Sequence, residues 1–482
     1  MASPDRPNIL FAIADDASHF SAYGHEFVKT PSFDRVAREG VLFQNMFTTN
    51  PKCAPSRASI LTGRHTWQLK EACTHFCVFP GAEEFTVYPD LLEEAGYHVG
   101  YTGKGWGPGD WERRGRTRNP AGPEYSEYTL TPPEESGIKP CDYAANFDAF
   151  LADRPDDKPF YFWYGGMEPH RAYEFGEGLR HGKSLDEVKR IPPYWPQEDV
   201  VRQDMLDYAF EVEWFDRHLG LMLRKLEEIG ELDNTLVIVT SDNGCPFPRV
   251  KGQMYDDDFR LPFAAMWRSR MPGKRTVDDL ASFIDIMPTF LEVAGIDVPA
   301  ELPGRSLTDL FFAQGSGTVT DYRDRAVMGK ERHDVGREND AGYPVRCIRT
   351  PRYMYARNYE PDRWPAGNPE TGYRNCDASP TKSRILELHE KRQDENFFQL
   401  SFGKRSAEEL YDIKKDPFCL TNLADKPELA DVKNRLRREL DEQLERSEDP
   451  RFFGDGDVFD TYEYVGDPPH SWKNYLKRNS ES

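Results

Sequence analysis

No hydrophobic run in this 482-residue chain is long enough to cross a bilayer. A spanning helix needs about 20 apolar residues, and the longest runs here, such as Leu236 to Val239, are strand-sized. Positive charge is also short. Lys and Arg number 62 against 83 Asp and Glu, a formal net charge of −21, which argues against nucleic acid and anionic membranes as partners. The eight cysteines, at 53, 73, 77, 141, 245, 347, 376 and 419, form no CxxC pair, so a zinc or thioredoxin-like reading has little support. Cys73 and Cys77 flank His75 in CTHFC without further metal ligands nearby, and read as a loop with a disulfide as one option. The opening MASPDRPNILF holds no apolar signal segment. Two readings follow, a cytoplasmic protein or one whose segment has been removed, and the Met-Ala start followed at once by a strand favours removal. No internal repeat or low-complexity tract is present.

What is there is a globular composition, 38% hydrophobic and 30% charged, long enough for one large domain and a smaller one. Asn8 to Ile13 reads as a buried strand ending in Asp15-Asp16. Ser32 to Glu39 reads as a helix closed by Gly40, and Tyr88 to Ala95 as a helix stopped by Gly96 with a strand following at His98 to Thr102. Pro159 to Gly165 and Thr235 to Thr240 are apolar strands, separated by helical periodicity over Asp204 to Ile229. This alternation predicts an α/β fold with a mostly parallel central sheet flanked by helices. Past residue 345 the pattern changes to short strands (Tyr353 to Tyr359, Glu409 to Ile413) and a charged helix (Pro427 to Arg446). The expected division is therefore a catalytic domain over 1–345 and a smaller α+β domain over 346–482.

The strongest local signal is Cys53-Ala-Pro-Ser-Arg57, continuing to Leu61-Thr-Gly-Arg64. Pro55 favours the first turn of a helix, which puts Cys53 at a helix N-terminus, where backbone N–H groups favour an anion. A second signal is the pair of strand ends, Asp15-Asp16 and Asp242-Asn243. Parallel α/β sheets gather ligands at the carboxyl ends of strands, and three carboxylates with one amide oxygen suit Ca²⁺ or Mg²⁺ and not zinc.

Together these segments resemble the type I, formylglycine-dependent sulfatases, in order and approximate spacing over most of the chain. Cys53-Ala-Pro-Ser-Arg matches the signature whose cysteine a separate maturation enzyme oxidises to formylglycine. Gly96-Tyr97…Thr102-Gly-Lys104 resembles the second signature, Glu168-Pro-His170-Arg the segment with the active-site histidine, and Lys251 the lysine after the later metal-binding strand end. The resemblance implies an alkaline-phosphatase-like core with a small C-terminal domain. It implies catalytic roles for Cys53, Arg57, Lys104, His170 and Lys251, and a metal site of Asp15, Asp16, Asp242, Asn243 and position 53. Ca²⁺ stands first as the ion and Mg²⁺ second. Within the family, EPHRAY, RIPPYWPQ, SDNGCPFP, KERHDV…GYPVR and ELYDIKKDP have counterparts in the heparan N-sulfatase (sulfamidase) group, which makes Arg332, His333 and Arg346 expected substrate contacts.

One position departs from the family. The second signature normally ends in a histidine two residues after its lysine, whereas Trp106 stands there, with His65 and His75 as candidate replacements. The expected reaction is desulfation of a sulfated carbohydrate, with S–N cleavage by a sulfamidase as the alternative and phosphate or phosphonate ester hydrolysis as a remote one. Such a substrate implies a periplasmic, secreted or lysosome-like setting. The loop from Arg357 to Arg374 is an expected sugar-side or domain-packing segment.

Overall fold

The computed structural model describes residues 6–480. Strands β1 (Asn8–Ala14), β2 (Val41–Phe47), β3 (His98–Gly103), β4 (Phe160–Gly165), β5 (Thr235–Ser241), β6 (Arg260–Met266), β7 (Arg275–Val277) and β8 (Ala281–Ser282) build the central sheet. Their order is β8-β2-β6-β5-β1-β4-β3, with β7 also beside β2. Every pairing is parallel except those of β6, which runs antiparallel to both β2 and β5.

NILFAIA and FYFWYG are apolar at nearly every position because both faces of the sheet are covered. Leu10, Ala12, Phe160, Phe162 and Tyr164 point into a core closed by helices α1 (Pro31–Glu39), α4 (Tyr143–Asp153) and α5 (Asp199–Glu228). The alternate residues Ile9, Phe11, Ile13, Tyr161 and Trp163 point into a second core under α2 (Cys53–Thr62), α3 (Tyr88–Glu94) and α6 (Ile286–Val293). The period of two thus sends each strand's side chains to two different cores.

A second sheet is antiparallel, in the order β9 (Ala326–Lys330), β10 (Val345–Arg349), β11 (Tyr353–Asn358), β12 (Glu408–Asp412). One face buries Val327, Ile348, Tyr355 and Leu410 against Leu436, Leu440 and Leu444, spaced one helical turn apart on α8 (Ala430–Arg446). The other face, with Met328, Cys347 and Met354, shares a core with Phe47 of β2 and with Phe259. The small sheet therefore leans on the large one. Its first strand precedes residue 345, and the boundary expected between 345 and 346 falls within β10, so it would divide this sheet. A further helix, α7 (Pro380–Glu390), follows the Pro- and Gly-rich loop.

All eight cysteines are free thiols, so no disulfide joins Cys73 to Cys77. Among the described residues no helix is long and apolar enough to cross a membrane.

Candidate active site

The site forms where four adjacent parallel strands end together. Ala14 of β1 pairs in register with Ser241 of β5, and Gly103 of β3 with Gly165 of β4. The next residues are therefore Asp15-Asp16, Asp242-Asn243 and Lys104, with the turn to His170 following β4. The pairing runs one step past the strands: the Asp242 amide donates to the Ala14 carbonyl at 3.2 Å and the Lys104 amide to Gly165 at 2.8 Å. Asp16 has φ 74°, a left-handed conformation that aspartate tolerates better than most residues. That turn aims consecutive carboxylates into one space.

Helix α2 closes this space from the side. Lys52 is extended and the helix begins at Cys53, all ten residues of it buried. Arg57 lies one turn beyond Cys53, on the same face. Its Nε donates to Asp242 Oδ2 at 2.7 Å, and Nη1 donates to the carbonyls of Lys104 at 2.7 Å and Gly105 at 3.0 Å. Ser56 Oγ donates to the Asp242 carbonyl at 2.6 Å. The cysteine signature thus binds its helix to both neighbouring strand ends.

The ionic contacts are close. Lys104 Nζ lies 2.5 Å from Asp15 Oδ2, and Lys251 Nζ lies 2.5 Å from Asp16 Oδ2. His170 donates from Nδ1 to the Arg171 carbonyl at 2.6 Å, which turns Nε2 toward Asp16 Oδ2, 3.9 Å away. Ligand atoms of Asp15, Cys53 and Asp242 lie within 4.8 Å of one another. Oδ1 of Asp15 and Oδ1 of Asn243 are buried and accept no hydrogen bond. Two unsatisfied buried oxygens beside two further carboxylates are the donor set a hard divalent cation takes, so these residues fit the expected metal.

Electrostatics separate the roles. Burial raises the Asp15 carboxyl, but Lys104, His170, Arg57 and Lys251 together hold it far below the usual range. Burial pushes Asp242 up to about 7 against the pull of Arg57, a tension that a cation would relieve. Burial lowers Lys104 and Lys251, and the facing aspartates more than offset it, so both stay protonated. The Cys53 thiol is raised by burial and is therefore a poor thiolate nucleophile. His170 is lowered by burial and then by Lys251.

Two residues after Lys104, where the family's second signature normally has a histidine, this chain has Trp106. Trp106 donates its indole N–H to the Ala54 carbonyl at 3.0 Å, packing beneath the start of α2. His75 instead brings Nε2 to 3.3 Å from Cys53 Sγ. Burial first, then Lys52, Lys251 and Lys104, hold His75 well below its ordinary pKa, so it is a neutral ring. His65 takes no part; it stacks on Trp67 at 4.5 Å.

The expected substrate contacts need correction. Arg346 spends all five of its N–H donors: Nε on Asp449, Nη2 on Asp449 and Glu331, and Nη1 on the Lys330 and Val345 carbonyls. It is a buried structural arginine. His333 is fully buried and its Nε2 meets Asn50 Oδ1 at 2.7 Å, which removes it from any sugar-facing surface. Arg332 is also buried, with its guanidinium over the Tyr464 ring at 5.7 Å, but its Nε and Nη2 donate no hydrogen bond. Sequence reasoning missed Asp377, whose Oδ2 lies 2.9 Å from Lys251 Nζ. Its loop of Pro, Gly and Asn carries no periodicity and no motif that points to a site.

Comparison with known proteins places the chain in a family. Residues 7–296 match the sulfatase family and residues 250–364 match the C-terminal region of N-sulphoglucosamine sulphohydrolase. The chain is 29% identical to an ulvan-active sulfatase of Formosa agariphila, over 92% of this chain and 75% of that one. It is 27% identical to human N-sulphoglucosamine sulphohydrolase, over 92% and 91%. A structure solved in complex with its substrate D-glucosamine-2-N,6-O-disulfate superposes with a TM-score of 0.65 at 23% identity, covering 92% of this chain and 98% of that one. The fold is that of the alkaline-phosphatase-like sulfatases, and the chain belongs to the sulfatase family of sulfuric ester hydrolases.

Proposed function

We propose that this enzyme removes sulfate from a sulfated carbohydrate, with residue 53 acting as formylglycine and a divalent cation held by Asp15, Asp16, Asp242 and Asn243. The observation that carries this reading is the setting of Cys53. It starts a buried helix, its sulfur lies among the ligand atoms of Asp15 and Asp242, and the ammonium groups of Lys104 and Lys251 contribute to its field. A maturation enzyme that oxidises the thiol to an aldehyde is then a required partner. The hydrated aldehyde supplies one hydroxyl to attack sulfur and a second to release sulfate, and the cation supplies Lewis acidity.

The remaining work falls to the chain's own side chains. Arg57 fixes Asp242 and the Lys104 carbonyl, which sets the spacing of helix and strands. Lys104 and Lys251 reach the sulfate oxygens and stabilise the charge that grows on them. His75, neutral and 3.3 Å from the atom at position 53, takes the proton of the attacking hydroxyl at Nε2. His170, on the Asp16 side, delivers a proton from Nε2 to the leaving oxygen or nitrogen once a bound sulfate has added negative charge beside it. Arg332, with its unspent donors, is the remaining sugar-side cation of the expected three.

Relatives named for ulvan and for N-sulphoglucosamine support a carbohydrate substrate, and such a substrate fits a periplasmic, secreted or lysosome-like setting. O-sulfated glycans are the leading class. S–N cleavage is the second reading, favoured by the match of residues 250–364 to the N-sulphoglucosamine sulphohydrolase C-terminal region. Sulfate release from an aryl sulfate and from paired O-sulfated and N-sulfated saccharides tests both. The enzyme should release sulfate, and Cys53→Ala should lose it by about 10³-fold or more. Faster hydrolysis of aryl phosphate or phosphonate esters than of any sulfate would overturn the assignment.

A further inference from the structure

The anion-binding side of the site carries one carboxylate that neither the cation nor the nucleophile requires. Asp377 follows the Pro- and Gly-rich loop and reaches Lys251 Nζ at 2.9 Å through Oδ2. Lys251 already has Asp16 at 2.5 Å, so neutralising it needs no second acid. The other oxygen of Asp377, Oδ1, takes no hydrogen bond from any described residue and is not sealed from solvent. The Asp377 side chain is 24% exposed, whereas that of Lys251 is 3% exposed. Asp377 is therefore the outer layer above the sulfate-binding lysine, and Lys52 and His170 also contribute to its field.

The loop is built to hold it there. Lys382, on α7, donates its ammonium protons to the carbonyls of Gly372 at 3.0 Å, Tyr373 at 2.9 Å and Cys376 at 2.8 Å. The Asn375 amide donates to Ala366 at 3.0 Å. Thr381 ties the start of α7 to Asp204 of α5. The Asn375 carbonyl also lies close to Gly252, where a Cβ would come within 3.3 Å of it at a left-handed φ of 77°. Glycine at 252 lets the loop close directly beside Lys251.

A carboxylate only accepts hydrogen bonds, and it repels a second anion at short range. We propose that Asp377 is a specificity-determining residue, accepting hydrogen bonds from free hydroxyls of the sugar ring that bears the scissile sulfate and turning away rings with a second anion beside that sulfate. This rests on the sulfatase reading above and adds to it the face of the sugar next to the leaving oxygen.

Asp377→Asn and Asp377→Ala test it on three substrates: an aryl sulfate, monosulfated monosaccharides with free neighbouring hydroxyls, and the same sugars sulfated on the adjacent hydroxyl. The wild type should prefer the monosulfated sugars over the disulfated ones. Both variants should lose about 10- to 100-fold in kcat/KM on the monosulfated sugars, the size of a hydrogen bond to a charged group. Their loss on the aryl sulfate should be about tenfold smaller than on the monosulfated sugars, and the gap to the disulfated sugars should narrow. Equal losses on all three substrates would make Asp377 a positioning residue for Lys251 and overturn the proposal. So would a wild type that prefers disulfated sugars, or that turns over the aryl sulfate and no monosulfated sugar. Absence of sulfate release from every substrate by the wild type would instead overturn the sulfatase reading itself.

Discussion

His75 lies against Cys53 and His170 against Asp16, and under the proposed mechanism their substitutions should part company. His75 serves the hydroxyl at position 53, which every substrate meets, so His75→Ala should slow an activated aryl sulfate and a sugar sulfate alike. His170 serves the leaving group, which matters for a sugar alkoxide or amine and little for an aryl oxide that departs as a stable anion. His170→Ala should therefore cost a sugar sulfate about 10²–10⁴-fold and the aryl sulfate far less. The sign of the pH response follows from its lowered pKa. The acid form is lost as pH rises through a value below 6.5, so kcat/KM for a sugar sulfate should fall on that limb and the variant should lack the limb. Equal losses in both variants on both substrates would remove the division of labour. At this scale residue type and motif coincide at Cys53, Lys104 and Asp242, and the structure brings these residues together. The sequence was misleading at Arg346 and His333, because a basic residue beside a pocket motif looks the same whether its donors face a sugar or, as here, Asp449, Glu331 and Asn50.

The central strands fix the catalytic spacing through the glycines at their ends. A Cβ on Gly165 would lie 1.9 Å from the Lys104 carbonyl, the same oxygen that accepts from Arg57 at 2.7 Å and from the Trp163 indole at 3.0 Å. Gly165→Ala must push β3 and β4 apart where Lys104 and Arg57 meet. Overpacking of this kind costs about 1–3 kcal/mol, and turnover should fall by 10-fold or more while the folded chain persists. Circular-dichroism melting alongside aryl sulfate kinetics checks this; unchanged turnover with a lowered Tm would separate the strand spacing from catalysis. Strands β1, β4 and β5 were legible because a sheet buried on both faces yields unbroken apolar runs. Strand β2 was not, since VLFQNMF carries Gln44 and Asn45 at a register shift between Phe43 and Met46. Strands β9 and β10 contain Lys330, Arg346 and Arg349, whose polar ends are met only by tertiary partners, the Gly252 carbonyl, Asp449 and Asp256.

At the scale of the whole molecule, a net charge of −21 surrounds a pocket whose lysines must draw in an anion. The long-range field opposes a polysulfated substrate, and salt shortens its reach from about 30 Å at 0.01 M to about 8 Å at 0.15 M. Raising ionic strength over that range, at constant divalent cation, should increase kcat/KM for a polysulfated oligosaccharide several-fold and change a monosulfated aryl substrate little. A steady fall for the oligosaccharide would point to an extended basic surface instead of a confined pocket. The small C-terminal sheet, packed on β2, leads through β11 to the loop that delivers Asp377 to Lys251, so the second part of the chain completes the site that the first begins. The claim on which the rest depends is that residue 53 works as an aldehyde. Peptide mass spectrometry of residue 53, across preparations made with and without the maturation enzyme and set against their turnover of an aryl sulfate, tests it most directly. Activity should rise in proportion to the fraction of chains whose residue 53 carries the formylglycine mass and vanish in preparations that keep the thiol. Full turnover by a preparation in which residue 53 is entirely cysteine would contradict it.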